Sequence, residues 1–452
     1  MLLLHSPKVG GVAGGGGCHK LTLMEPAVEI VTQAKTIVAR GGVPLSGRVA
    51  IDGAKNAALP AMAAALLTDE ECLLDNVPVL EDILVMVDLL RWLGAEVDFD
   101  QENRRVCIHA AKVNRYDAPA DLVERMRASF LVSGPLLARY GRTTSTPPGG
   151  CKLGTRPVDV DLRGFRRMGA KVRQTDNSYE MTANRLIGTD LYMDYPSHTG
   201  TENLLMAATL ARGVTTITNA ASEPEIVSLG SILLDMGARM SGVGTPRIRV
   251  EGVDRLHGYR ASILPDRIEA GTFAIAAAIS GGEVILDYVS ESDMLPLTHK
   301  LCEAGAEVWW SQSSMMVRGP DPLTATEIQA LPFPGFPTDL QAAFAVLLTQ
   351  AHGEGRIYER VFNDRLRYVQ ELQKMGAKIE VIDRQQAIIS GPTRLRGSDV
   401  RALDIRSGAC LVLAALIAEG ETRISETKHL RRGYHDIVGK FASLGADIRY
   451  VD

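Results

Sequence analysis

One short pattern recurs six times along the chain and restricts its fold more than any other feature. It is a helix end running into a strand: Leu93-Gly94-Ala95-Glu96-Val97, Met168-Gly169-Ala170-Lys171-Val172, Met236-Gly237-Ala238-Arg239-Met240, Ala304-Gly305-Ala306-Glu307-Val308, Met375-Gly376-Ala377-Lys378-Ile379 and Leu444-Gly445-Ala446-Asp447-Ile448. Successive glycines are 75, 68, 68, 71 and 69 residues apart. A glycine here reads as a left-handed helix C-cap, a backbone state that a Cβ disfavours. A second pattern keeps step with the first: an apolar helix of small residues, a turn and a β-rich strand, clearest at residues 207–217 and 415–424, with copies near Ala63, Gly134, Ala274 and Ala345. Each unit therefore reads helix, strand, helix, strand. Six units of about 70 residues fill all but the N-terminal part of the 452-residue chain. That period is long for a solenoid, so compact domains of three units each are expected. Helices apolar on every side must lie inside those domains, with the sheets outside.

Composition narrows the partners. A net charge of -5 and 5% aromatic residues give neither a broad basic face nor stacking runs, so nucleic acid is not an expected partner. The six cysteines, Cys18, Cys72, Cys107, Cys151, Cys302 and Cys410, form no C-x-x-C pair and read as reduced thiols of a cytoplasmic protein, with Cys410 in an apolar helix. No apolar run approaches the about 18 residues of a membrane helix, so no membrane partner is expected. Residues 10–17 are glycine-rich but lack the Gly-Lys-Ser/Thr ending of a phosphate loop, and residues 1–35 read as a flexible extension. The nine histidines form no His-Glu-x-x-His pair, so no metal is expected.

The helix starts are more informative than their interiors. Gly53-Ala54-Lys55-Asn56, Met126-Arg127-Ala128-Ser129 and Ile405-Arg406-Ser407-Gly408 each put a cation at a first turn, where it opposes the helix dipole. Repeated at equivalent places in three units, that arrangement points to an anion held over converging helix ends.

Several widely spaced motifs then carry a resemblance: Gly53-Ala54-Lys55-Asn56-Ala57-Ala58-Leu59-Pro60, Pro148-Gly149-Gly150-Cys151, Arg156-Pro157-Val158-Asp159, Phe336-Pro337-Thr338-Asp339 and Arg432-Gly433-Tyr434. From about Val43 to the C-terminus the chain resembles the UDP-N-acetylglucosamine 1-carboxyvinyltransferases (enolpyruvyl transferases). The resemblance implies an α/β fold of two inside-out α/β barrel domains, each of three β-α-β-α-β-β repeats, the EPSP synthase-like fold. One domain would span residues 55–265 and carry a lid loop at Cys151; the other would combine residues 36–54 with 266–452. The implied reaction transfers the enolpyruvyl group of phosphoenolpyruvate to the 3-hydroxyl of UDP-N-acetylglucosamine and releases phosphate, without a cofactor. A monomer is expected.

Such an addition and elimination needs a proton donor to the methylene carbon, a base for the hydroxyl, and cations around phosphate and carboxylate. Cys151, in an electropositive loop with Lys152 and Arg156, suits a reactive thiol, and the resemblance makes it the general acid and site of a covalent phosphoenolpyruvate adduct. Asp339 is implied as the acceptor-hydroxyl base, and Lys55 and Arg432 as catalytic cations. Lys55, Asn56, Arg156, Arg406 and Arg432 are implied to hold phosphoenolpyruvate. Arg127, Arg156, Pro157, Val158, Asp159, Val160, Ser197, Asp339, Val361 and Arg365 are implied to hold UDP-N-acetylglucosamine. Asp404 would also lie at the cleft, whereas Glu223 and Glu225 read as structural helix-start carboxylates.

Two departures bear on the acceptor: Asp161 stands where relatives often have histidine, and Tyr195-Pro196-Ser197-His198 replaces a lysine-containing stretch. His198 or backbone N–H groups are the substitutes for that lysine. Alternative readings are transfer to shikimate 3-phosphate, transfer to another uridine compound, and a catalytically silent sugar-nucleotide-binding paralogue. The Pro-Gly-Gly-Cys segment argues against the shikimate enzyme, and the presence of Cys151, Lys55 and Arg432 against a silent paralogue.

Overall fold

The computed structural model describes residues 35–147, 158–175 and 177–452. The glycine-rich extension and the Cys151 loop, two features singled out in the sequence, lie outside the described residues. Within the unit Ala34–Asp452, the described residues form six sheets, five of four strands and one of three.

Each four-stranded sheet repeats one plan. Glu327–Ala330 runs parallel to Gly353–Glu359, which pairs antiparallel with Gln386–Gly391, itself the partner of Lys378–Asp383. A buried helix, Gln341–Gln350, joins the parallel pair, giving a β-α-β-α-β-β unit. All six repeated glycines adopt positive φ, between 92° and 100°. These are the helix terminations expected from the sequence, and each aims the chain back into a sheet.

Three units are completed by strands from elsewhere in the chain. Ser46–Ala50 runs parallel to Glu283–Asp287, and Arg260–Ser262 parallel to Glu71–Asp75. The N-terminal strand Thr36–Arg40 lies between Glu421–Ser425 and Asp447–Val451 and so completes the last unit. The chain passes between the two groups of units at residues 52–54 and 264–266. There the two passages bond to each other, Ala54 N to Leu264 O at 2.7 Å and Asp266 N to Asp52 O at 2.8 Å.

Buried apolar side chains form two clusters. One draws on residues 54–263. The other draws on residues 37–51 and 268–448. At the centres lie the small-residue helices: Ile268 to Ile279 of Arg267–Ser280 are all buried, as are Ile405 to Leu416 of Ile405–Ile417. Alanine and glycine let these helices approach closely; a Cβ on Gly271 would come within 2.4 Å of Leu340. Larger groups seal the ends, as where Phe273 and Phe441 stack with centroids 4.5 Å apart. Cys410 is fully buried here, which pushes its thiol pKa well up, as a core residue requires. Among the described residues no helix is long and apolar enough to cross a membrane.

Candidate active site

Lys55 opens the helix Lys55–Ala64, whose first turn contains no acidic residue. The opposing helix dipole is answered from another helix: Lys55 Nζ donates to Asp82 Oδ2 at 2.9 Å. Asp82 lies in the first turn of Glu81–Leu93 and is 3% exposed. Arg432, at the end of the 3-10 turn Thr427–Arg432, donates its Nε to the other oxygen, Oδ1, at 2.8 Å. Burial alone would raise the Asp82 pKa, but Lys55 and Arg432 outweigh it and hold the carboxyl below its ordinary value. Lys55 belongs to the first group of units and Arg432 to the second, so one carboxylate ties the two groups together.

Asp339 forms a second shared carboxylate. It sits in the 3-10 turn Thr338–Leu340, just ahead of the α-helix Gln341–Gln350. Arg365 Nη2 donates to its Oδ1 at 2.6 Å and Arg406 Nη2 to its Oδ2 at 2.8 Å. Burial favours the protonated acid here too, yet Arg406 and then Arg365 hold its pKa far below the carboxylate range. Arg406 tolerates the first turn of its helix because Asp404 caps that turn, accepting from Arg406 N at 2.8 Å and Ser407 N at 3.1 Å. Asp404, expected at the cleft, is thus engaged as a helix cap.

Gly433 joins the two arrays. On one side Arg432 reaches Asp82; on the other, Tyr434 Oη accepts from Arg406 Nη1 at 3.3 Å and meets Thr272 Oγ1 at 2.9 Å. A Cβ on Gly433 would come within 2.5 Å of Ile405, so a larger residue would push the arrays apart. Four cations here converge on two carboxylates, which gathers ammonium and guanidinium groups where an anion can meet them. A carboxylate clamped by two guanidiniums is a weak base, so Asp339 gains proton affinity only when an anion draws an arginine away.

A third group lies around a small cavity lined by Arg127, Val158, Asp161, Thr199 and Asn203. Arg127 opens a 3-10 stretch, Arg127–Val132, rather than the α-helix, which starts at Ser133. Pro135, which has no N–H to donate back to Leu131, accounts for the late start. Burial dominates both charges: it lowers the Arg127 pKa and pushes Asp161 up to about 6, against the Asn203 hydrogen bond at 2.9 Å and the charge of Arg127. Asp159 and Val160 open the helix Asp159–Arg167. Ser197 caps the helix His198–Thr209 by accepting from Gly200 N at 3.1 Å, and Val160 packs against that Gly200. His198 Nε2 faces Glu202 Oε1 at 3.4 Å, so the imidazole addresses a buried acid of its own helix.

Lys55, Arg432, Asp339, Arg406 and Arg365 are therefore brought together; Asn56 adjoins Lys55, and Val361 lies in the segment leading to Arg365. Arg127, Val158, Asp159, Val160 and Ser197 belong to the third group, while Cys151, Arg156 and Pro157 lie outside the described residues. The sequence reading missed Asp82, since Glu81-Asp82 looks like ordinary first-turn acids. It also missed the partner of Glu225, a first-turn acid as expected, to which Arg267 donates at 3.1 and 3.3 Å with Glu225 buried. Among the described residues no group of three or more His, Cys, Asp or Glu could hold a metal ion.

Comparison with known proteins agrees with this geometry. Residues 39–441 match the family of EPSP synthase (3-phosphoshikimate 1-carboxyvinyltransferase). A UDP-N-acetylglucosamine 1-carboxyvinyltransferase of Finegoldia magna is 45% identical over 421 residues, covering 92% of this chain and 99% of the relative. The crystal structure of the enolpyruvyl transferase NikO from Streptomyces tendae superposes with a TM-score of 0.84 at 27% identity, covering 92% of this chain and 99% of the other. An EPSP synthase structure from Acinetobacter baumannii, at 19% identity and a TM-score of 0.73 over 92% of this chain and 100% of the other, shares the fold.

Proposed function

The chain belongs to the EPSP synthase family of carboxyvinyltransferases, and we propose that it transfers the enolpyruvyl group of phosphoenolpyruvate to the 3-hydroxyl of UDP-N-acetylglucosamine, with release of phosphate. The observation that carries this reading is the 45% identity over 92% of this chain and 99% of a relative with that name. Shikimate 3-phosphate and other uridine acceptors are not favoured, because the relative named for UDP-N-acetylglucosamine matches along nearly its whole length.

The residues divide the work as follows. Phosphoenolpyruvate brings a carboxylate and a phosphate to the converging cations, Lys55, Arg432 and Arg406, aided by Asn56 and Arg156. Cys151 gives a proton to the methylene carbon while the acceptor oxygen attacks the neighbouring carbon, and Asp339 takes the hydroxyl proton. The resulting tetrahedral adduct returns a methyl proton to the Cys151 thiolate and expels phosphate, which takes up the proton held by Asp339, and the double bond is restored in the product. Phosphoenolpyruvate competes with Asp339 for Arg406, and this exchange raises the basicity of Asp339 when both substrates are present. Arg127, Arg156, Pro157, Val158, Asp159, Val160, Ser197, Val361 and Arg365 hold the sugar nucleotide.

The two buried clusters support a division into domains at residues 55–265 and 36–54 plus 266–452, with the substrates between them and the Cys151 segment as a lid. A cytoplasmic location suits phosphorylated substrates of this kind, and a monomer is proposed with it. The test is a three-way competition, with phosphoenolpyruvate offered to equal amounts of UDP-N-acetylglucosamine, UMP and shikimate 3-phosphate. Mass spectrometry should find the enolpyruvyl group on the sugar nucleotide; its appearance chiefly on another acceptor would refute the assignment.

A further inference from the structure

Glu359 ends the strand Gly353–Glu359 with 0% exposure, a costly place for a carboxylate unless its oxygens are well used. They are. Oε1 accepts from Val361 N at 2.7 Å and Phe362 N at 3.0 Å, and Oε2 accepts from Thr338 Oγ1 at 2.7 Å. One side chain therefore grips two segments that are distant in sequence: the turn carrying Asp339, and the segment that begins with Val361 and reaches Arg365.

We infer that Glu359 is the positioning residue that sets the register of Asp339 against Val361, and so the placement of the acceptor hydroxyl. This rests on the assignment of Asp339 and Val361 to the acceptor. The contacts close a ring. From Glu359 one path runs through Thr338 to the backbone of Asp339. The other runs through Phe362 and the chain to Arg365, whose Nη2 returns to Asp339 Oδ1 at 2.6 Å. Asp339 is thus fixed at its backbone by one path and at its carboxylate by the other, and Glu359 is where the paths meet. A carboxylate is suited to that junction because both oxygens accept and neither must donate. Burial raises the Glu359 pKa, against the three donors and the charge of Arg365. The Lys55–Asp82–Arg432 array has no member in this ring, and Arg406 touches it only through Asp339 Oδ2, so a fault at Glu359 should fall more heavily on the acceptor than on phosphoenolpyruvate.

The test is steady-state kinetics of Glu359→Gln, Glu359→Ala, Thr338→Val and the Thr338→Val/Glu359→Gln double variant, with melting temperatures. A displacement near 1 Å at a reacting group can cost about 100-fold in rate. For Glu359→Ala the expected result is a fall in kcat of about 10- to 100-fold and a KM for UDP-N-acetylglucosamine about tenfold higher, of the order one lost buried hydrogen bond produces. The KM for phosphoenolpyruvate should rise less than that for UDP-N-acetylglucosamine, since Lys55 and Arg432 are untouched and Arg406 meets the ring only through Asp339 Oδ2. Glu359→Gln keeps an oxygen for Val361 and Phe362, so it should be milder. Thr338→Val should match it, and the double variant should be no worse than either single one. Should Glu359→Ala not fold, Thr338→Val carries the test alone, because it removes only the one contact. Equal rises in both KM values, additive single effects, or unchanged kinetics in Thr338→Val would overturn the inference. Wild-type enzyme without UDP-N-acetylglucosamine-dependent turnover would instead overturn the acceptor assignment on which it rests.

Discussion

Arg432 and Asp82 stand 350 residues apart in the sequence, yet Arg432 Nε lies 2.8 Å from Asp82 Oδ1. Lys55 completes the group at 2.9 Å from the other oxygen. A buried carboxylate is tolerable here because two cations offset its desolvation.

Asp82→Asn should therefore destabilise the fold, by up to about 3–5 kcal/mol, the range for breaking a buried ion pair. It should also lower kcat, since Lys55 and Arg432 lose the group that orients them. Inorganic phosphate should recover part of the lost melting temperature in this variant and do less for the wild type, because an anion restores pairing. Thermal unfolding with and without phosphate checks this, and equal phosphate responses would refute it.

Asp339→Asn should reduce turnover by about 10²- to 10⁴-fold, the usual span for losing a positioned base. The pH dependence of stability follows from its depressed pKa. The native value lies below the unfolded value of about 3.9, so the stabilisation is complete above about pH 4 and is lost as acid protonates the native carboxylate. Acid unfolding of Asp339→Asn should accordingly be shallower below that pH than in the wild type.

The pair of half-buried His198 and buried Glu202 gives the opposite sign. Burial pushes Glu202 up to about 8, with His198 opposing and Glu225, Glu223 and Asp161 adding to the rise. Its unfolded value is about 4.3, so its contribution is full below that pH and is lost as the pH rises toward about 8. The raised pKa of His198, where Glu202, Glu223 and Glu225 outweigh burial and Arg267, works in the same direction. Melting temperature should fall across this range, and Glu202→Gln should flatten the fall. A Glu202→Gln curve parallel to the wild type would count against the assignment.

How much of this was legible in the sequence depends on the range of the interaction. The helix ends at Gly94, Gly169, Gly237, Gly305, Gly376 and Gly445 were readable because a left-handed C-cap is a local demand on one residue. The buried helices were readable because Ala and Leu on every face leave no other place for them. Lys55, Arg406 and Asp339 stood out as charges at helix starts. What answers those charges was not readable. Asp82 and Glu359 are ordinary carboxylates until the fold brings Arg432 or Thr338 to them, and no local spacing encodes that meeting. The resemblance implied which segments share a domain, but the pairings of Ser46–Ala50 with Glu283–Asp287 and of Arg260–Ser262 with Glu71–Asp75 leave no periodic mark in the sequence.

Cys151→Ala should abolish turnover with little change in melting temperature, whereas Cys151→Asp should retain activity, since a carboxylic acid can also donate the proton. Fosfomycin, an epoxide open to thiolate attack, should add once to the wild type and not to Cys151→Ala. Intact-mass analysis checks both, and an adduct on the variant would move the reactive thiol elsewhere.

The most direct measurement is phosphate released from phosphoenolpyruvate by the purified protein, with and without UDP-N-acetylglucosamine. The account predicts release that depends on the sugar nucleotide and disappears in Asp339→Asn. Release indifferent to UDP-N-acetylglucosamine, or none with it, would contradict the account.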